Sequence, residues 1–358
     1  MKDRAFAHNV AWASAQLRDF GLKPGYIPAF CFDLAGIRGM IPHMSAPRLA
    51  LLTTILAVSS ASAVVHVTGD GSGNITAPVD DFGFANVGQV FDISDGIYVS
   101  GVYLGDGWVL SAYHGVRDGS GGFQFGSALF GGVNYPIDAT SAVRLTTPGF
   151  GLADLALFHM LGPYPVLDAV AISATSPLLD SAVAMAGTGR NREAAETHWN
   201  VTVVAGPNND IWTETAGAGN RQGFEFIFGA PVVRWGKNRI STVAPTAIDD
   251  GFGITRMIQT SFQDGGPAVA DEAQAAAGDS GGGVFYKNGA NWELTGIMLA
   301  VSGFDGQPDA AVFGNNTFMA DLATYRTEIV AIVPEPGTLT LALAGLALFG
   351  ARRRRQTV

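Results

Sequence analysis

The sequence predicts an all-β protein, a barrel or sandwich built from many short strands. Three observations predict it. Short apolar runs recur along the chain, and clusters of Gly, Asp, Asn or Pro break them. Glycine is abundant, at 47 of 358 residues, and charged residues make up only 15%, which suits tight turns and buried strands better than long surface helices. A helical period shows in one stretch, Met319 to Ile332, where Leu322, Tyr325, Ile329 and Ile332 share a stripe.

The first residues do not fit that pattern. Residues 1–43 carry mixed charge, the single cysteine Cys31 and no clean period. Residues 44–63 do have an order: Arg48, an apolar run from Leu49 to Val58, then Ala61-Ser62-Ala63. A basic start, a short apolar core and an A-x-A end describe a secretory signal peptide. Such signals begin a chain, so translation is expected to start at Met44 or Met40, with 1–43 an artefact of start-site choice. The first residue of the exported chain is then Val64.

Residues 64–85 are rich in Gly, Asp, Asn and Pro and read as a loose arm. The folded domain is expected over residues 86–332. Strand candidates run Gln89–Ile93, Ile97–Leu104 and Trp108–Ala112, with Gly105-Asp106-Gly107 as a hairpin turn between the last two. Residues 122–168 continue with short apolar runs. Ala182–Ala186 follows and ends at Gly187-Thr188-Gly189; residues 190–222 are polar and read as a long loop. Phe224–Trp235, Ile254–Ser261, Gly283–Tyr286, Trp292–Val301 and Ala310–Phe318 complete the strand candidates.

The C-terminus is distinct. Val333-Pro334-Glu335-Pro336-Gly337 cannot extend a helix, because proline removes a donor and clashes with the preceding turn. Thr338 to Ala351 carries no charge, and four arginines follow, Arg352 to Arg355. As a helix this run spans about 21 Å against a hydrocarbon core of about 30 Å, a marginal membrane span helped by snorkelling arginines on the cytoplasmic side.

Composition excludes some functions. A formal net charge of -10 argues against nucleic acid as a partner. One cysteine leaves no disulfide, and it falls outside the expected mature chain, so no thiol nucleophile or cysteine metal site is expected. Asp70, Asp80 and Asp81 are candidate cation ligands, but an acidic solvated loop accounts for them more simply. No cofactor is expected.

The chemistry centres on Gly278-Asp279-Ser280-Gly281-Gly282. Glycines around one serine make a tight turn that holds its hydroxyl forward and lets a substrate backbone approach. The amides of Gly278 and Ser280 then point at one spot, where a carbonyl oxygen would gain charge in acyl transfer. Serine alone is a poor nucleophile, so the loop predicts a histidine base and an orienting carboxylate. His114 stands just past the apolar run Trp108-Val109-Leu110-Ser111-Ala112, at a strand end suited to reach a cleft. Asp154 heads the apolar run Asp154-Leu155-Ala156-Leu157, where a carboxylate is costly to bury without a partner.

Together the three runs resemble the trypsin–chymotrypsin family of serine proteases. Trp-Val-Leu-Ser-Ala-x-His, Asp-x-Ala-Leu and Gly-Asp-Ser-Gly-Gly occur here in the family's order. Gly187-Thr188-Gly189 resembles the family's Gly-Trp-Gly turn, and Leu294-Thr295-Gly296-Ile297 the strand beside its specificity pocket. The resemblance implies two six-stranded antiparallel β-barrels, about 86–175 and 176–332, with a C-terminal helix and the site in the cleft between them. It implies a serine endopeptidase acting on protein or peptide, with Ser280 as nucleophile, His114 as base and Asp154 as orienter. Gln274, Leu299 and Val301 then fall at the specificity pocket. Gly115 stands where the family has a cysteine, Gly283 where it has a proline, and no counterpart of the family's processed N-terminus is evident for Asp279. The tail, residues 333–355, resembles the PEP-CTERM sorting signal of Gram-negative bacteria. That implies an exosortase partner, a transient membrane anchor and delivery to the cell surface or extracellular matrix.

Two other readings compete. One is a protease-fold surface or matrix binding protein with a catalytically degenerate site. The other is an esterase using the same triad, against which the missing strand–helix alternation speaks.

Overall fold

The computed structural model describes residues 61–62, 64–91, 98–227, 229–266 and 268–333. The expected extension 1–43, almost all of the expected signal peptide and the apolar tail beyond Val333 lie outside the described residues. Among the described residues no helix is long and apolar enough to cross a membrane.

The described residues start with the two-residue segment Ala61–Ser62, which pairs in parallel with Ala230–Pro231; a two-residue strand, β1 (Val65–His66), follows, and then a closed six-stranded barrel. Its strands are β2 (Val87–Phe91), β3 (Tyr98–Gly105), β4 (Trp108–Ala112), β5 (Ser127–Phe130), β6 (Val133–Thr147) and β7 (Gly151–Met160), paired in the order β2-β3-β4-β7-β6-β5. The β3–β4 hairpin turns at Gly105-Asp106-Gly107, all three with positive φ, as the sequence predicts.

A second set follows β8 (Ala182–Gly187). β9 (Thr197–Thr202), β10 (Ile211–Glu214) and β11 (Arg221–Ile227) form a side sheet. Then come β12 (Arg234–Arg239), β13 (Thr246–Asp249), β14 (Ile254–Ser261), β15 (Ala273–Gln274), β16 (Gly283–Asn288), β17 (Asn291–Val301), β18 (Ala310–Val312) and β19 (Asn316–Asp321). The main sheet runs β12-β8-β16-β17-β19-β14-β13. A bridge between Ile240, just past β12, and Thr260 of β14 draws its ends together, so six of its strands form a second barrel. A single α-helix, α1 (Leu322–Ile332), ends the described chain. The fold is thus all-β, with two antiparallel barrels and a C-terminal helix.

Alternation decides what packs where. Val109 of β4 points into the first barrel with Val90, Tyr103, Phe130 and Phe158. Its neighbour Leu110 points the other way, into a cluster shared by both barrels with Leu155, Ala184, Phe285, Ile297 and Phe318. Val183 and Met185 of β8 fill the second barrel with Ile258, Val284 and Met298. Strands buried on both faces read as unbroken apolar runs, which is why the sequence shows runs and not strict alternation. Helix α1 adds Tyr325 and Ile329 to the shared cluster. The Tyr325 hydroxyl also lies 2.7 Å from Thr147 Oγ1 of the first barrel and accepts the Arg256 amide of the second at 2.8 Å.

Several expectations are corrected here. The arm at 64–85 is anchored at its start, where Val64, Val65 and His66 are buried and β1 pairs with β15, while most of its remaining residues are exposed. The buried Arg192 guanidinium holds this arm by donating to His66 O and Gly69 O, and it stacks on Phe224. Residues 190–222 are not one loop. They carry β9 and β10, seated by the buried Trp199, whose polar neighbours masked the strand pattern. Phe224–Trp235 is not one strand but the end of β11, the two-residue strand Ala230–Pro231 and the start of β12, and α1 starts at Leu322 because Met319 belongs to β19. The three aspartates of the arm are occupied separately. Asp80 binds Lys287 Nζ at 2.6 Å, Asp81 accepts the Gly83 and Phe84 amides, and Asp70 accepts the Ser72 amide.

Candidate active site

The β4–β7 register opposes Ala112 to Leu155, so its continuation would set Tyr113 opposite Asp154, and the turn that follows β4 brings the next residue, His114, beside that aspartate. His114 sits on a 3-10 turn, Tyr113–Gly115, that directly follows β4. Asp154 is fully buried. Its Oδ1 accepts the His114 amide at 2.8 Å, and its Oδ2 lies 2.6 Å from His114 Nδ1. A carboxylate oxygen only accepts, so Nδ1 carries the proton and Nε2 presents a lone pair. That Nε2 lies 2.8 Å from Ser280 Oγ. The three residues picked from distant runs therefore form one hydrogen-bonded chain across the two barrels.

Ser280 is held forward by a loop pinned on both sides. Its carbonyl accepts the Ser100 amide of the first barrel at 2.8 Å, and the Gly281 amide donates to Met298 O at 2.8 Å. Gly281 has φ +88, and a Cβ there would lie 2.0 Å from Ser100 O, so only glycine fits. Gly278 also has positive φ, at +96. Among the described residues, neither the Gly278 nor the Ser280 amide donates to a protein acceptor.

Asp279 points inward and is fully buried. Its Oδ1 accepts the Gly189 amide at 2.7 Å and the Val64 amide at 3.3 Å; its Oδ2 accepts the Ala276 amide at 2.8 Å. Burial pushes its carboxyl up to about 7, against the pull of these amides. Gly187 and Gly189 leave the room it needs: a Cβ on Gly187 would lie 2.3 Å from Asp279 Oδ1, and one on Gly189 2.6 Å from its Cγ. Val64 is thus the residue of the N-terminal arm whose backbone nitrogen reaches Asp279. Its own identity gives no hint of that place; only the expected cleavage after Ala63 marks it.

Burial disfavours a charged His114, but the charge and hydrogen bond of Asp154 outweigh this and raise its pKa above the usual imidazole value of 6.5. The Phe252 ring lies over the imidazole, centroids 5.1 Å apart and 30° between planes. Phe252 stands in the β13–β14 turn, Asp250 to Gly253, whose Asp250 also faces this pair. Thr255 Oγ1 accepts the Asp154 amide at 2.9 Å. Sequence reasoning missed Asp250, Phe252 and Thr255, because Asp249-Asp250-Gly251-Phe252-Gly253 reads as an ordinary hairpin turn.

The three expected pocket residues have different surroundings. Gln274 is buried on β15, its Oε1 without a donor among the described residues. Leu299 is buried in the cluster shared by the barrels. Val301 is half-buried, beside the interior of the second barrel.

Residues 333–355 match the PEP-CTERM protein-sorting motif. No curated protein matches the sequence. Among solved structures, the chain is similar to the inactive form of the Rv3671c protease, with 12% identity, 72% of this chain and 94% of that chain covered, and a TM-score of 0.42. An inactive serine-to-alanine mutant of Rv3671c, from M. tuberculosis H37Rv, gives 12% identity, 73% and 94% coverage, and a TM-score of 0.41. Neuropsin, a serine protease of the limbic system of mouse brain, gives 16% identity, 73% and 98% coverage, and a TM-score of 0.44.

Proposed function

We propose that this chain is an exported, surface-sorted serine endopeptidase. The observation that carries the reading is the chain of short contacts from Asp154 through His114 to Ser280, 2.6 and 2.8 Å. In this reading Ser280 Oγ attacks the scissile carbonyl as His114 Nε2 takes its proton. The imidazolium is stabilised by Asp154 and then protonates the leaving amine, leaving an acyl-enzyme on Ser280; water reverses the steps and releases it. The Gly278 and Ser280 amides, not engaged by protein acceptors among the described residues, are the donors for the oxyanion. A substrate lies in the cleft between the barrels, with Gln274, Leu299 and Val301 nearest its specificity side.

Export rests on the leader at 44–63, and sorting on the matched motif at 333–355. The partner of that motif is an exosortase-type enzyme, and the apolar tail anchors the precursor until it is cut. Residues 86–332 form the protease domain in this reading, with 64–85 as its arm.

A fluorophosphonate probe tests the activity. Labelling of the wild type that disappears in Ser280→Ala supports it. An unlabelled, folded wild type favours the binding-protein reading instead.

A further inference from the structure

The β13–β14 turn of the second barrel is built onto the His114–Asp154 corner of the first. A Cβ on Gly253 would lie 2.5 Å from Leu152 O, so the turn rests directly on the backbone that leads into Asp154. Arg144 ties the two together by donating to Ala153 O and to Phe252 O. Asp250 is therefore buried, and its carboxyl lies within hydrogen-bonding reach of the Asp154 carboxyl.

The two carboxyls are not equivalent. Both oxygens of Asp154 receive N–H donors, both from His114. Asp250 Oδ1 receives the Phe252 and Gly253 amides at 2.9 and 3.1 Å. Asp250 Oδ2 is buried with no donor among the described residues. A buried anionic oxygen with no donor, facing another carboxylate, is strongly disfavoured; a proton on it removes one charge and supplies the missing hydrogen bond. The charged groups nearby are Asp154 and His114 on the first barrel, Arg117 over the Phe252 ring, Arg144, and Asp249 on the same hairpin. Neither arginine donates to Asp250. Arg144 is directed at carbonyls and at the Tyr113 ring, and Arg117 at the Phe252 ring.

We propose that Asp250 is a positioning residue that stays protonated at neutral pH and donates its proton to Asp154, so that the pair holds a single negative charge behind His114. This rests on the endopeptidase reading for its effect on rate, but not for the protonation itself. Burial, then the Asp154 charge, pushes the Asp250 carboxyl up to about 8, with the Phe252 amide pulling the other way. When Asp250 ionises, a second negative charge behind the imidazole makes His114 a poorer releaser of its proton, and the rate falls on the alkaline side.

The test is twofold. Carbon-13 NMR of aspartate-labelled protein, with the Asp250 signal assigned by its loss in Asp250→Asn, should show that carboxyl titrating near or above neutrality. Titration in the ordinary carboxylate range, near about pH 4, would overturn the proposal whether or not the protein is an enzyme. In peptide hydrolysis, Asp250→Ala should lower kcat by about 10- to 100-fold with KM little changed. Asp250→Asn keeps a donor and an acceptor at the same places; it should restore most of that loss and remove the alkaline fall. An Asp250→Asn as impaired as Asp250→Ala, or an Asp250→Ala with wild-type kcat, refutes the role. A wild type that no fluorophosphonate labels refutes the endopeptidase reading, and the NMR titration still decides the proton.

Discussion

The backbone nitrogen of Val64 lies 3.3 Å from Oδ1 of Asp279, with both residues fully buried. Asp279 receives three amides there and no cation among the described residues. Hydrolysis of the bond before Val64 would put an α-ammonium at the same point. The buried carboxylate would gain its counter-charge, and the Gly278–Ser280 loop beside it would be fixed. A chain starting at Val64 is therefore expected to exceed one extended at that end by about 100-fold or more in kcat/KM, the scale of losing an oxyanion donor. Equal rates for the two forms, each with its N-terminus verified by mass spectrometry, would refute this.

Asp154→Asn should leave the fold intact and cut kcat about a thousand- to ten-thousand-fold. The carboxamide can turn its NH2 to His114 Nδ1. That places the ring proton on Nε2, facing Ser280, and the base is lost. Active-site titration alongside circular dichroism separates this from misfolding.

The pH dependence has a definite sign. His114 must be neutral to accept the Ser280 proton, and Asp154 raises its pKa above the usual 6.5. The acid limb of kcat/KM for the free enzyme should therefore lie above that value, with activity lost as pH falls through it. A limb at or below the ordinary imidazole value would contradict the geometry.

Gly253→Ala should destabilise the protein by about 1–3 kcal/mol, because its Cβ would meet Leu152 O at 2.5 Å and the turn must lift. Lifting it also moves Phe252 and Asp250 away from His114, so kcat should fall as well. Urea melts and kinetics on the same sample give both numbers. Unchanged stability would mean that the turn does not rest on the β7 backbone.

Much of this site was legible because its parts stand at strand ends. Val109–Ala112 and Asp154–Leu157 are buried, so they appear as apolar runs, and their register together with the turn after Ala112 carries His114 to Asp154. The glycines around Ser280 were legible for a similar reason, since Gly281 has no room for any side chain. What stayed hidden was set by distant contacts. Nothing in Val64-Val65-His66 says that a buried arginine 126 positions beyond His66 will hold the His66 carbonyl. Trp199 gives little sign of a strand among polar neighbours, and Asp250 has the composition of any turn. Their roles come from what the other barrel brings against them.

Val333 is the last of the described residues and is buried, its amide bonded to Ile329 O, and it is also the first residue of the matched motif. No spacer in the sequence separates the two. In the proposed reading, an enzyme that cuts at the neighbouring prolines would have to work flush against the end of the helix. If the tail anchors the precursor as proposed, the helix end is also where the anchoring motif starts, so the two would be oriented together.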